Sequence, residues 1–160
     1  MAELTVRRLM VDMDQPIARD WCDGDVFRSA FLIALSMSFP QGEQFFIDSV
    51  RQGAAQLAPE QRDALGRDIK GFVGQEATHR HLHSKYNGHL ADLGYVNGWE
   101  ARIVRRSAWL RGKDVRHCVA VTAAYEHFTA VLARWVLSHP HVLGARDERL
   151  KTLWFGRGAE

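Results

Sequence analysis

Residues 59–87, PEQRDALGRDIKGFVGQEATHRHLHSKYN, carry a helical pattern whose single proline stands at the first position. Proline fixes φ near −65° and lacks an N–H, which only the first helical turn tolerates without loss. The stretch predicts one long helix, closed near Asn87-Gly88 by residues suited to a C-cap. Before it, Asp23 or Asp25 can cap a helix through VFRSAFLIALSMSF. Pro40 and Gly42 are expected to interrupt or kink that helix. The pattern resumes in EQFFIDSVRQGAAQL, where Phe46, Ile47 and Val50 recur at helical spacing. GYVNGW reads as a loop and residues 98–111 as a shorter helix. Asp114 to about Leu137 reads as another long helix, closed by SHPHVLG, and a last one begins near Ala145 and runs to Glu160. Residues 1–25 are irregular, with an extended character around LTVRRLMV and breakers at Pro16 and Gly24. No strand alternation or repeat appears elsewhere, so the expected fold is all-α, in one domain over residues 1–160.

Composition narrows the function. A hydrophobic fraction of 46% and a charged fraction of 25% describe an ordinary globular balance. A formal charge of +2 is too small to make nucleic acid the main partner. Arg102, Arg105, Arg106, Arg111, Lys113 and Arg116 crowd together, and a solvated helix face explains them more simply than a binding patch. Cys22 and Cys118 form no CxxC pair, so a reducing cytoplasm is the expected compartment. The N-terminus lacks the apolar core of a signal peptide. AFLIALSMSF is too short and too polar to span a bilayer, so no membrane partner is expected. The five tryptophans are read as core and interhelix packing. No Ser-His-Asp arrangement, P-loop or GxGxxG stands out.

Three observations carry chemistry. In QEATHRHLH, Glu76 and His79 are three apart and His83 lies seven beyond Glu76, so the three share one helix face while His81 points elsewhere. Carboxylate and imidazole on one face suit a transition metal, although a polar, histidine-rich surface yields the same motif by chance. In CVAVTAAYEHFTAVLARW, Glu126 sits in a stripe of small side chains formed by Val119, Thr122, Ala123, Ala130 and Ala133. A carboxylate buried there needs a proton, a cationic partner such as Arg or His, or a metal. Glu43 shares a face with Phe39, Phe46, Ile47 and Val50. A first-turn glutamate after the Pro40 break, favoured by the helix dipole, is the alternative there. The order Glu, ExxH, Glu matches di-iron and di-manganese bundles, which also place a second ExxH on a fourth helix. That second motif is absent from the sequence.

The stretches VRRLMVDMD, ARDWCDGD, FLIALSMSFPQGEQFFIDSVR, FVGQEATHRHLHSKYN, TAAYEHFTAVLA and LKTLW resemble the family of predicted metal-dependent hydrolases over nearly the whole chain. The resemblance implies a ferritin-like helical bundle. In that family the segment after LW continues in a run like W-H-x-x-E-E-x-E-H-K. LWFGRGAE departs from it at Phe155 to Gly158, so that Glu160 would match the first acidic residue and the last helix is cut short. Gly156 and Gly158 also weaken helix propensity there. The expected metal ligands are Glu43, Glu76, His79 and Glu126, with His83 and Glu160 as further candidates. Carboxylate-rich ligation points to iron or manganese, two ions in a complete site, doing oxidative chemistry on a small molecule, with zinc less favoured. The alternatives are hydrolysis, as the family's description implies, or a non-catalytic helical module. A bundle short of its last turns could also form a homodimer to cover the gap.

Overall fold

Asp25 opens the first helix: its Oδ1 accepts from the Arg28 N–H at 2.9 Å, satisfying one of the donors a helix start leaves open. In the computed structural model, which describes residues 11–144 and 146–158, α1 spans Val26–Ala55 and α2 Pro59–Asp92. Then follow α3, Glu100–Arg111; α4, Val115–Ser138; a 3₁₀ turn, Pro140–Leu143; and α5, Glu148–Gly158. The fold is all-α, as expected. The extended character expected around LTVRRLMV falls mostly outside the described residues. No described helix is long and apolar enough to cross a membrane.

Three boundaries differ from expectation, each for a local reason. Pro40 does not interrupt α1, which runs through it unbroken. The Ser36 carbonyl, whose helical donor would be residue 40, accepts instead from Asn87 Nδ2 at 3.1 Å. One residue on, the Met37 carbonyl accepts from Asn97 Nδ2 at 2.9 Å. Asn87 thus replaces the donor that proline removes, and Asn97 caps the next carbonyl from a neighbouring segment. With Asn87 occupied in this way, α2 does not stop at Asn87-Gly88. It continues to Asp92 and buries Leu90 completely. A Schellman turn closes it, with Tyr95 N–H to Leu90 O at 2.9 Å, Gly94 N–H to Ala91 O at 2.8 Å, and Gly94 at φ +85°. The last helix starts at Glu148, where Asp147 Oδ1 accepts from Arg149 N–H at 3.0 Å, and Gly156 and Gly158 lie inside it. Ala145 lies outside the described residues.

Residues 56–58 fold α2 back antiparallel against α1, and α4 and α5 pack beside this pair. The main core lies at one end, where Met13, Ile17 and Trp21 meet Leu32, Ile33, Met37, Leu82, Tyr86, Leu90, Leu150 and Trp154. Burial pushes the Tyr86 hydroxyl well above its ordinary pKa, so it stays neutral there. A smaller cluster of Phe45, Phe46 and Cys118 lies towards the other end. Gly53 brings α4 close to α1: a Cβ there would come within 2.9 Å of Val119 Cγ2. Beside it Ser49 Oγ and Thr122 Oγ1 hydrogen-bond at 2.7 Å across the same contact. Two readings of α4 and the tryptophans change. The small stripe is split: Val119 and Thr122 make the contact with α1, whereas Ala123 and Ala130 are exposed. Trp21 and Trp154 are core residues, whereas Trp99, Trp109 and Trp135 are 45%, 65% and 47% exposed and leave an apolar surface on α3 and α4.

Candidate metal centre

Along α1 and α2, between the two apolar clusters, lies a buried polar layer. Because α1 continues through Pro40, Glu43 sits in mid-helix and not in a first turn, which removes the helix-dipole explanation for it. Antiparallel pairing sets Glu43 opposite Glu76 and His79, and all three are at most 3% exposed. Each offers a ligand atom, and these atoms lie within 4.8 Å of one another. His79 Nδ1 is 3.3 Å from Glu76 Oε1, and His79 Nε2 is 3.0 Å from Gln75 Nε2. An amide nitrogen can only donate, so in this arrangement Nε2 accepts and Nδ1–H faces the carboxylate.

Two carboxylates brought together away from water repel one another unless a proton or a cation intervenes. Glu76 Oε2 is buried and has no hydrogen-bond partner. A carboxylate oxygen left this way is costly in a purely structural role and natural for a ligand. Metal–oxygen and metal–imidazole bonds of about 2.0–2.2 Å separate ligands of one ion by at most about 4.4 Å. The observed spread meets that with a small side-chain adjustment. The donor set, two hard carboxylates and one imidazole, suits a divalent transition ion. Turning the Gln75 amide over would let its Oε1 accept from His79 Nε2–H and leave Nδ1 to bind the ion.

Of the other expected ligands, neither His83 nor Glu126 belongs to this three-residue group. His83 is 1% exposed, one turn further along α2. Its Nδ1 meets Ser36 Oγ at 2.8 Å, and that hydroxyl donates to Asn87 Oδ1 at 2.9 Å. The imidazole packs edge-on against Phe39 and Trp154, at 4.7 and 5.7 Å between ring centroids. Glu126 on α4 is half-buried, with Oε1 shielded from solvent, and does not join the three-residue group. His81 is exposed, as its position on the helix implies. Glu160 lies outside the described residues. Among those residues one such group forms, so no second metal group accompanies it. Sequence reasoning overlooked Gln75. Its spacing of four from His79 was the available signal.

The layer borders a cavity. Between α1, α3 and α4 an apolar recess of about 1190 Å³ reaches inward to Glu43, with Phe39, Phe46, Leu110 and Leu132 among its walls. Glu43 is 0% exposed, and Glu76 and His79 are not among the walls, so the recess adjoins the polar layer without opening onto it. The family model described as "Predicted metal-dependent hydrolase" matches residues 5–160, nearly the full chain. Neither a curated protein nor a solved structure shows a significant match.

Proposed function

This chain belongs to the predicted metal-dependent hydrolase family, and we propose that it hydrolyses a small-molecule substrate at one divalent ion held by Glu43, Glu76 and His79. The observation that carries this reading is the convergence of those three buried side chains to within 4.8 Å. Three protein ligands leave coordination positions open, the pattern of a catalytic and not a structural site. When bound, such an ion supplies Lewis acidity and lowers the pKa of a coordinated water to about 7. Glu43 and Glu76 contribute the negative charge that holds a cation, and Gln75 fixes the His79 ring. The recess beside the site is walled largely by aromatic and aliphatic side chains, a low-dielectric lining that strengthens nearby charge interactions.

This reading takes precedence over the two-metal oxidative chemistry that the ligand order alone favours. One metal group stands among the described residues, and the family description is hydrolytic. The test is elemental analysis of protein purified without an affinity tag, paired with assays on ester, amide and phosphodiester substrates before and after chelation. About one ion per chain, with a hydrolytic activity that chelation removes and the metal restores, is expected. Two ions per chain with ferric charge-transfer bands would return the oxidative reading, and a chain that takes up no metal would remove both.

A further inference from the structure

The recess beside Glu43 has a chemical polarity of its own. Buried Glu43 is among its lining residues and its walls are mostly apolar, while α3 supplies the exposed Arg102, Arg105 and Arg106. No described residue forms an ion pair with these three arginines. By contrast, Arg111 on the same helix is bridged to Asp48 at 3.0 Å. Arg102 packs over the Trp99 ring at 5.4 Å, which holds its charge beside an apolar surface. Phe31 and Phe128, 53% and 72% exposed, also line the recess. At about 1190 Å³ it exceeds the roughly 300–1,000 Å³ usual for a drug-sized ligand.

We propose that the recess binds a free anionic amphiphile, with its carboxylate or phosphate on the α3 arginines and its apolar body directed inward towards Glu43. A neutral hydrocarbon would make no use of the three guanidiniums, which no described residue pairs. A second anion at the inner end would meet Glu43, so the charge belongs at the arginine side. A bilayer surface does not reach into a concave recess, which favours a monomeric ligand over a lipid headgroup in a membrane. As the substrate class of the metal site the proposal rests on the hydrolytic reading above. As a binding site it stands apart from that reading, because it needs no metal.

The experiment uses the metal-free chain and measures binding of dodecanoate and dodecanol, each below its aggregation limit, by calorimetry and by intrinsic tryptophan fluorescence, to which Trp99 and Trp109 of the recess contribute. Dodecanoate is expected to bind about fivefold or more tightly than dodecanol, and the double variant Arg102→Gln/Arg106→Gln to erase the difference. Ala34→Trp, which fills part of the wall, should weaken both ligands equally. Equal affinity of the two ligands for the native chain would overturn the proposal. So would an absence of binding, or binding only to anionic phosphatidylglycerol vesicles. Glu76→Gln separates the two readings: it should abolish metal uptake and leave dodecanoate binding in place.

Discussion

His79 and His83 stand one turn apart on α2, equally buried, and both face α1, yet they inhabit different chemistry. Around His79 are Glu76, Gln75 and Glu43, with one carboxylate oxygen lacking a hydrogen bond. Around His83 are a serine hydroxyl and two aromatic rings, which give the imidazole both a polar partner and a packed surface. On their own helix Glu76 and Gln75 set His79 apart. The opposing helix adds to the difference, by presenting Glu43 at one level and Ser36 with Phe39 at the other. On the proposed reading, the histidine set beside two carboxylates is the ligand, and the one with a hydroxyl partner and two aromatic neighbours is a packing residue.

The largest expected effect separates the two levels outright. His79→Ala or Glu43→Gln should bring metal stoichiometry to near zero, while His83→Phe should leave it near that of the native chain, as read by elemental analysis. Equal losses from His79→Ala and His83→Phe would break the distinction. Next, Trp154→Ala removes packing from the His83 level and should lower unfolding free energy by about 3–5 kcal/mol in a denaturant titration, with metal stoichiometry retained. Smaller, and confined to the His79 level, Gln75→Leu should weaken metal affinity by about 10–100-fold with all three ligands intact. Competition against a chelator would measure it, and an unchanged affinity would remove the positioning role of Gln75.

The smallest effect lies outside both levels and serves as their control. At Asp147 burial works to raise the carboxyl pKa, but hydrogen bonds and charge from Arg149, with the Leu150 N–H, outweigh it and hold the value below the ordinary carboxylate range. A depressed folded-state pKa contributes stability above the unfolded value of about 3.9, and that stability is lost as pH falls through the folded value. Asp147→Ala should cost about 1 kcal/mol at neutral pH and flatten the acid limb of the stability curve below about pH 4. Denaturant midpoints across that range would show it, and metal uptake at neutral pH should not change.

Much of this was legible in the chain. Helical spacing and proline positions marked the helices, and the Glu76/His79 pair was visible because three residues bring side chains to one face. Glu43 was legible as a carboxylate among apolar neighbours. What escaped was whatever depends on a contact between segments distant in sequence. Pro40 reads as a break until Asn87 supplies the missing donor, and Asn87 reads as a cap until it is seen bonded to Ser36. His83 shares its face with His79, and sequence spacing alone could not set Ser36 against it. Glu126 occupies a stripe of small residues, but small residues are as compatible with an exposed helix face as with a seam, and Ala123 and Ala130 lie on the exposed one.

The most direct test is X-ray absorption on the protein loaded with one equivalent of zinc or manganese, comparing the native chain with His79→Ala and His83→Phe. The expected spectrum contains one imidazole and carboxylate oxygens around the ion, is unaltered in His83→Phe, and reverts to that of the free hydrated ion in His79→Ala, which takes up almost none. Two imidazoles in the native spectrum, or an imidazole signal that survives in His79→Ala, would contradict a metal held by Glu43, Glu76 and His79.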